Sequence, residues 1–170
     1  GGETGIEIRS GSLSLDKSTV TGGTGELTVN PNGNGPTTAN AAISVARHTT
    51  AKDIAVTLGD GVTLTGSAAL SVANPQNTKS DVTVNITGGT YDGKVNIADD
   101  TANVSISGGT FANDVSKFVA EGKICAANGD KFVVGALPTA ETGTTVEAAK
   151  DENGNTTGVK VENSTVGANV

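Results

Sequence analysis

The sequence predicts an all-β fold, a parallel β-helix or β-solenoid of about four coils closed by a C-terminal cap, and three observations carry that prediction. The first is a near copy: VTVNITGGTYDG at 82–93 is followed twenty residues later by ANVSISGGTFAN at 102–113. Val84, Ile86, Gly88, Gly89, Thr90 and Tyr91 return as Val104, Ile106, Gly108, Gly109, Thr110 and Phe111. The second is the alternation of β-branched and polar residues inside each copy, which has the period of a strand rather than of a helix. The third is composition. With 24 Gly, no Trp, no Met, one Tyr and three Phe in 170 residues, the core must be built from Val, Ile, Leu and Ala in thin layers joined by frequent turns.

The repeat orders the rest of the chain. GIEI at 5–8 returns as AISV at 42–45, ALSV at 69–72 and KVNI at 94–97, giving four first strands. Each precedes a second run: SLSL at 12–15, DIAVTL at 53–58, DVTVNI at 81–86 and ANVSI at 102–106. In this alignment Val82, Val84 and Ile86 stack on Ala102, Val104 and Ile106 facing inward, while Thr83 and Asn85 lie beside Asn103 and Ser105 facing out. Glycine pairs at 22–23, 59 and 61, 88–89 and 108–109 are expected at recurring turns, where the backbone takes positive φ or lies against the coil above. ELTV at 26–29 and NPNGNGPTTAN at 30–40 lengthen the first coil, and the latter reads as a protruding loop. A stack of layers about 4.8 Å apart buries a continuous core but needs a cap.

Residues 1–113 are therefore the coils, 114–137 the cap and 138–170 a polar tail. In the cap, Asp114 is placed to start a short helix over VSKFVAEG, ended by Gly122. KICAANGDKFVV then reads as a hairpin turning at Asn128-Gly129-Asp130. In the tail, TTVEAAK at 144–150 and GVKVEN at 158–163 predict one further hairpin.

A formal charge of -7 argues against nucleic acid or an acidic membrane as partner. No apolar run has the length of a membrane span, and no signal peptide is read; a start at Gly1 without Met is what a mature or excised segment would have. Cys125 has no partner in the chain, so it reads as a small buried thiol, and nothing in the spacing favours pairing it with His48, the single His.

ISGGTFANDVSKFVAEGKICAANGDKFVV, with its upstream partner VNITGGTYDGKVNIADD, resembles the repeat and closing segment of adhesin-like secreted or wall-bound proteins of gut Gram-positive bacteria. The resemblance spans 5–134 and is strongest over 80–134. It implies a right-handed parallel β-helix of the pectate-lyase-like kind and an extracellular, secreted or cell-wall location. It brings no catalytic motif with it, and the chain carries no LPxTG-type sorting signal.

A solenoid builds sites from one turn position on adjacent coils. Alignment of the first strands puts Ser10, Arg47, Asn74 and Asp99 in one column and His48, Pro75 and Asp100 in the next. With Gln76, Lys52 and Lys79 nearby, Arg47, His48, Asn74, Gln76, Asp99 and Asp100 form the candidate binding set, suited to holding an anionic sugar or a metal, or to acid/base work on a polysaccharide. The plainer reading is a solvated loop edge with a surface ion pair. Asp99 and Asp100 are sequence neighbours whose side chains diverge in an extended chain, a poor glycosidase pair.

Other signals fall away. GGTGELT at 22–28 has only a faint likeness to the nonapeptide calcium roll, whose period is shorter, so no metal or cofactor is expected. The triplets starting at Asn85, Asn103, Asn155 and Asn163 are what chance supplies in an Asn- and Thr-rich chain. Tyr91 over Phe111 reads as packing rather than a sugar platform. The expectation is a non-catalytic surface module, a rigid stalk or display domain binding a host or cell-surface glycan or glycoprotein. A polysaccharide lyase or hydrolase is the alternative, and a self-associating filament subunit the second.

Overall fold

The computed structural model describes residues 3–137 and 144–163. The remaining tail positions, 138–143 and 164–170, lie outside the described residues. The chain is all-β, as expected. Repeat one supplies β1 (Ile6–Ile8), β2 (Gly11–Leu15) and β3 (Thr19–Thr21), and an inserted hairpin follows as β4 (Thr28–Pro31) and β5 (Pro36–Ala39). Then come β6 (Ala41–Ala46), β7 (Ile54–Leu58), β8 (Thr63–Ala73), β9 (Val82–Ile86), β10 (Thr90–Ile97), β11 (Asn103–Ile106) and β12 (Gly109–Phe111). The end is β13 (Lys123–Asn128), β14 (Lys131–Ala136), β15 (Thr144–Lys150) and β16 (Thr156–Asn163).

Two larger sheets hold these strands apart from β4–β5 and β15–β16, which form two separate hairpins. One is parallel, in the order β11-β9-β7-β2; the other is mixed and eight-stranded, β1-β6-β8-β10-β12-β14-β13 with β3 also on β8. The aligned first runs pair as expected: Ile6 faces Ile43, Ile43 faces Leu70 and Leu70 faces Val95, all in parallel. The second runs do the same through Leu13, Val56, Val84 and Val104. A third strand position, not read from the sequence, recurs as well: Val20, Leu64, Tyr91 and Phe111 are successive partners along β3, β8, β10 and β12. Each third strand contributes one inward side chain, and in β8 and β10 it runs on into the next first strand. All these inward residues belong to one apolar cluster, in which each fully buried Leu or Ile contributes about 1.5–3 kcal/mol. Tyr91 and Phe111 stack in it with ring centroids 4.7 Å apart, both fully buried.

The glycine pairs divide between two places. Gly89 immediately precedes β10 and Gly109 opens β12, with φ of +96° and +121°, the positive values expected there. Gly22 instead follows a third strand, and its equivalents are Gly66 and Gly93, where a Cβ on Gly93 would meet the Gly66 carbonyl oxygen at 2.2 Å.

Two further expectations are corrected. Residues 30–40 do not protrude: β4 and β5 fold back, with Ser44 Oγ donating to Thr38 Oγ1 at 2.8 Å and Thr49 N to the Asn34 carbonyl at 2.7 Å. Burial follows, for Pro36, Thr38 and the outward Ser44 of β6 are all covered. The helix expected over 115–122 is reduced to a 3₁₀ turn, Ser116–Phe118, although Asp114 does accept from the Ser116 N–H at 2.8 Å. Strand pairing wins over a weak eight-residue helix: Val119 is extended and bridges Ile106, whose carbonyl accepts from Ala120 N at 2.8 Å. The cap hairpin β13–β14 forms as expected, and it joins β12 antiparallel, Phe111 opposite Phe132, so the sheet that it extends is mixed. The tail hairpin pairs as expected, Val146 opposite Val161.

Candidate functional site

The first strands end in turns that stack on one another, and the polar residues after them converge. Arg47 follows β6, Asn74 follows β8 and Asp99 follows β10, held in step by Arg47 N to the Ala73 carbonyl at 3.2 Å and Asp99 N to the Val72 carbonyl at 3.1 Å. Arg47 Nε lies 2.8 Å from Asp99 Oδ2, with the two side chains only 2% and 1% exposed. Arg47 Nη1 donates to the Thr78 carbonyl at 2.9 Å. Asn74 folds the loop that presents this carbonyl, accepting from Thr78 N at 2.8 Å and donating to Thr78 O at 3.1 Å. Asp99 Oδ1 takes the Thr101 N–H at 3.0 Å and hydroxyl at 2.8 Å. The expected surface ion pair is thus a buried one, and it ties three consecutive repeats together.

The rest of the expected set disperses. His48 is half-buried with Nδ1 turned to Thr50, at 3.2 Å from both its N and its Oγ1; Asp100, Pro75 and Ser10 are exposed. Gln76 is half-buried in the turn that follows β8. Six buried side-chain polar atoms lack a hydrogen-bond partner among the described residues, and five fall here: Arg47 Nε and Nη2, Gln76 Oε1, Ser80 Oγ and Asp99 Oδ2. For Arg47 Nε and Asp99 Oδ2 the ion pair compensates; Arg47 Nη2, Gln76 Oε1 and Ser80 Oγ have no such relief.

Beside this corner opens a cleft of about 440 Å³ lined by Arg47, Asp53, Lys79, Ser80, Asp81 and Thr101. Asp53 and Asp81 also border a second hollow of about 330 Å³ that continues onto the outer side of β2, β7 and β9 through Ser12, Ala55 and Thr83. The two carboxylates are adjacent because Ile54 pairs Val82, and Asp53 Oδ1 accepts the Asp81 N–H at 2.9 Å. The alignment of the second runs holds both at the same position, so this pair is legible in the repeat although it lies outside the candidate binding set. Among the described residues no group of three or more His, Cys, Asp or Glu is gathered for a metal, and no helix is long and apolar enough to cross a membrane.

Compared with known proteins, the chain matches no family model, no curated protein and no solved structure.

Proposed function

We propose that the chain is a non-catalytic extracellular surface module, a right-handed parallel β-helix of four coils related to adhesin-like bacterial wall and secreted proteins, which displays its corner cleft to a host or cell-surface glycan or glycoprotein. Rung-for-rung registers at three strand positions support the β-helix, and the adhesin-like location rests on the resemblance of 80–134. The observation that carries the binding reading is the state of Asp99. Its Oδ1 is taken by Thr101 and its Oδ2 by a buried guanidinium, so it holds a corner rigid instead of shuttling protons, while the open cleft beside it offers hydroxyl, carboxylate and cationic groups. The test is to incubate the chain with an array of mucin glycans and polysaccharides, scoring retention and release of new reducing or unsaturated ends. Retention without release is expected. Release that disappears in Asp99→Asn would move the chain to the lyase and hydrolase class.

Self-association is a second reading, favoured by the outer edges of β1, β2 and β3, on which no further strand pairs among the described residues. Ile6, Leu13, Leu15 and Val20 are only half-buried there, and β2, GSLSL, carries none of the charges or prolines that blunt an edge. Light-scattering mass rising above 16.7 kDa with concentration is the expected result, and a constant mass ends that reading.

A further inference from the structure

We infer that two copies of the chain pair head to head, β2 against β2 across a two-fold axis at Leu13, and that association stops there; the deduction rests on the self-association reading above and sets its limit. The observation that carries it is an edge that matches itself. Gly11 N donates to the Asp53 carbonyl at 2.9 Å, and the Leu15 carbonyl accepts from Gly59 N at 2.8 Å. Alternate residues of β2, counted from Gly11, therefore turn their backbone groups to β7. The backbone groups of Ser12 and Ser14 point the other way, off the end of the stack, where no strand meets them among the described residues. These two serines lie equally far on either side of Leu13. Antiparallel pairing about that centre sets Ser12 of each copy opposite Ser14 of the other, with N–H and C=O groups exchanged, and leaves Leu13 against Leu13 as the closely spaced pair. The side chains face correctly as well. Leu13 and Leu15 are the inward residues of β2, aligned with Val56 and Leu58 and only half-buried, so the pairing brings them into one core while the serines stay outside.

Charge does not oppose this contact. β2 is GSLSL and carries none. The same axis brings β1 of one copy towards β3 of the other; β3 is TVT, and Glu7 of β1 is already paired with Arg9 at 2.6 Å, so no like charges are forced together across these strands. Growth beyond two copies is blocked by the finish of the opposite end. There the Asn113 side chain takes the backbone groups of Val95, Val119 bridges Ile106 and β14 covers β12. A filament needs two different ends that fit each other, whereas a two-fold contact uses one open end twice and closes.

Light scattering of the whole chain over a wide range of concentration reads the limit. The mass should rise from 16.7 kDa and level at twice that value. A rise that does not level overturns the closed pair and leaves self-association standing; a constant mass removes both. The joint is read by two double variants on the exposed serines of β2, each expected to keep the native melting temperature at dilutions where the chain is single. Ser12→Lys with Ser14→Lys sets lysine opposite lysine on both sides of the axis and should weaken association about tenfold. Ser12→Lys with Ser14→Glu sets lysine opposite glutamate in the same register and should associate at least as well as the native chain. Equal weakening by both variants, or no change in either, overturns the pairing of β2 with itself.

Discussion

The two ends of the stack are built from the same repeat and finished differently. At the C-terminal end every strand column is closed. The Asn113 side chain stands in for a strand beside β10, its Oδ1 accepting Val95 N at 2.8 Å and its Nδ2 donating to Val95 O at 3.3 Å. Val119 bridges Ile106 on the second column, and β14 covers β12 on the third. At the N-terminal end β1, β2 and β3 have no such cover among the described residues, and their inward side chains are half-buried, apart from Ile8 at 9% exposed. Repetition therefore builds the layers and does nothing to end them. An end is made by residues that depart from the repeat, and here those are Asn113, Val119 and the β13–β14 hairpin.

The largest effect that sharpens this contrast lies in one column. Phe111→Ala at the closed end empties a fully buried aromatic site stacked on Tyr91 and is expected to cost about 3–5 kcal/mol. Val20→Ala, three partners away at the open end, removes half-exposed methyls worth about 1 kcal/mol or less. Urea unfolding of the two variants checks it, and equal losses would mean that the first repeat is covered in solution. Smaller, and local to the closed end, is Asn113→Ala. Freeing both backbone groups of Val95 should cost about 1–2 kcal/mol and raise amide exchange at Val95 and its neighbours in β10 while leaving β1 and β2 unchanged.

Much of this frame was legible. The first and second runs alternate apolar and polar residues over four or more positions, so their registers, Ile43 on Leu70 or Val84 on Val104, could be written down before any coordinates. Third strands escaped because each holds a single inward residue, too few to alternate, beside glycines that draw the eye to a turn. The β4–β5 hairpin escaped for another reason: Asn32, Gly33, Gly35 and Pro36 are turn formers locally, and only the distant Ser44 and Thr49 reveal that the segment folds back. At the site, counting from strand ends placed Arg47, Asn74 and Asp99 together because all three lie next to a paired strand. One residue further the turns differ in length, so His48 and Asp100 no longer share an environment, while Ser80 comes from the long turn of the third repeat and Asp53 and Asp81 from the start of the following strands.

The smallest expected effect separates the ends by pH. Among the described residues, both groups whose ionisation is suppressed by burial sit at the closed end: Tyr91, whose phenol donates to the Gly88 carbonyl at 3.0 Å and is pushed well above its ordinary 10.0, and Cys125 of β13, whose thiol is pushed up from 9.0. In each case the unfolded chain ionises first as pH rises. Above the unfolded value the unfolded state then holds fewer protons than the folded one, so stability falls with pH; below it the contribution is fully present. The closed end should therefore hold its stability up to about pH 9 and lose it progressively above, with the steeper part beginning near pH 10 where tyrosine takes over. Val20, which holds the Tyr91 position at the open end, cannot titrate. Melting curves of the native chain and of Tyr91→Phe through this range check the sign: the substitution should cost about 1 kcal/mol at neutral pH, from the lost hydrogen bond, and flatten the fall above pH 10. A fall that keeps its full slope in Tyr91→Phe would place the alkaline sensitivity elsewhere in the chain and remove this distinction between the ends.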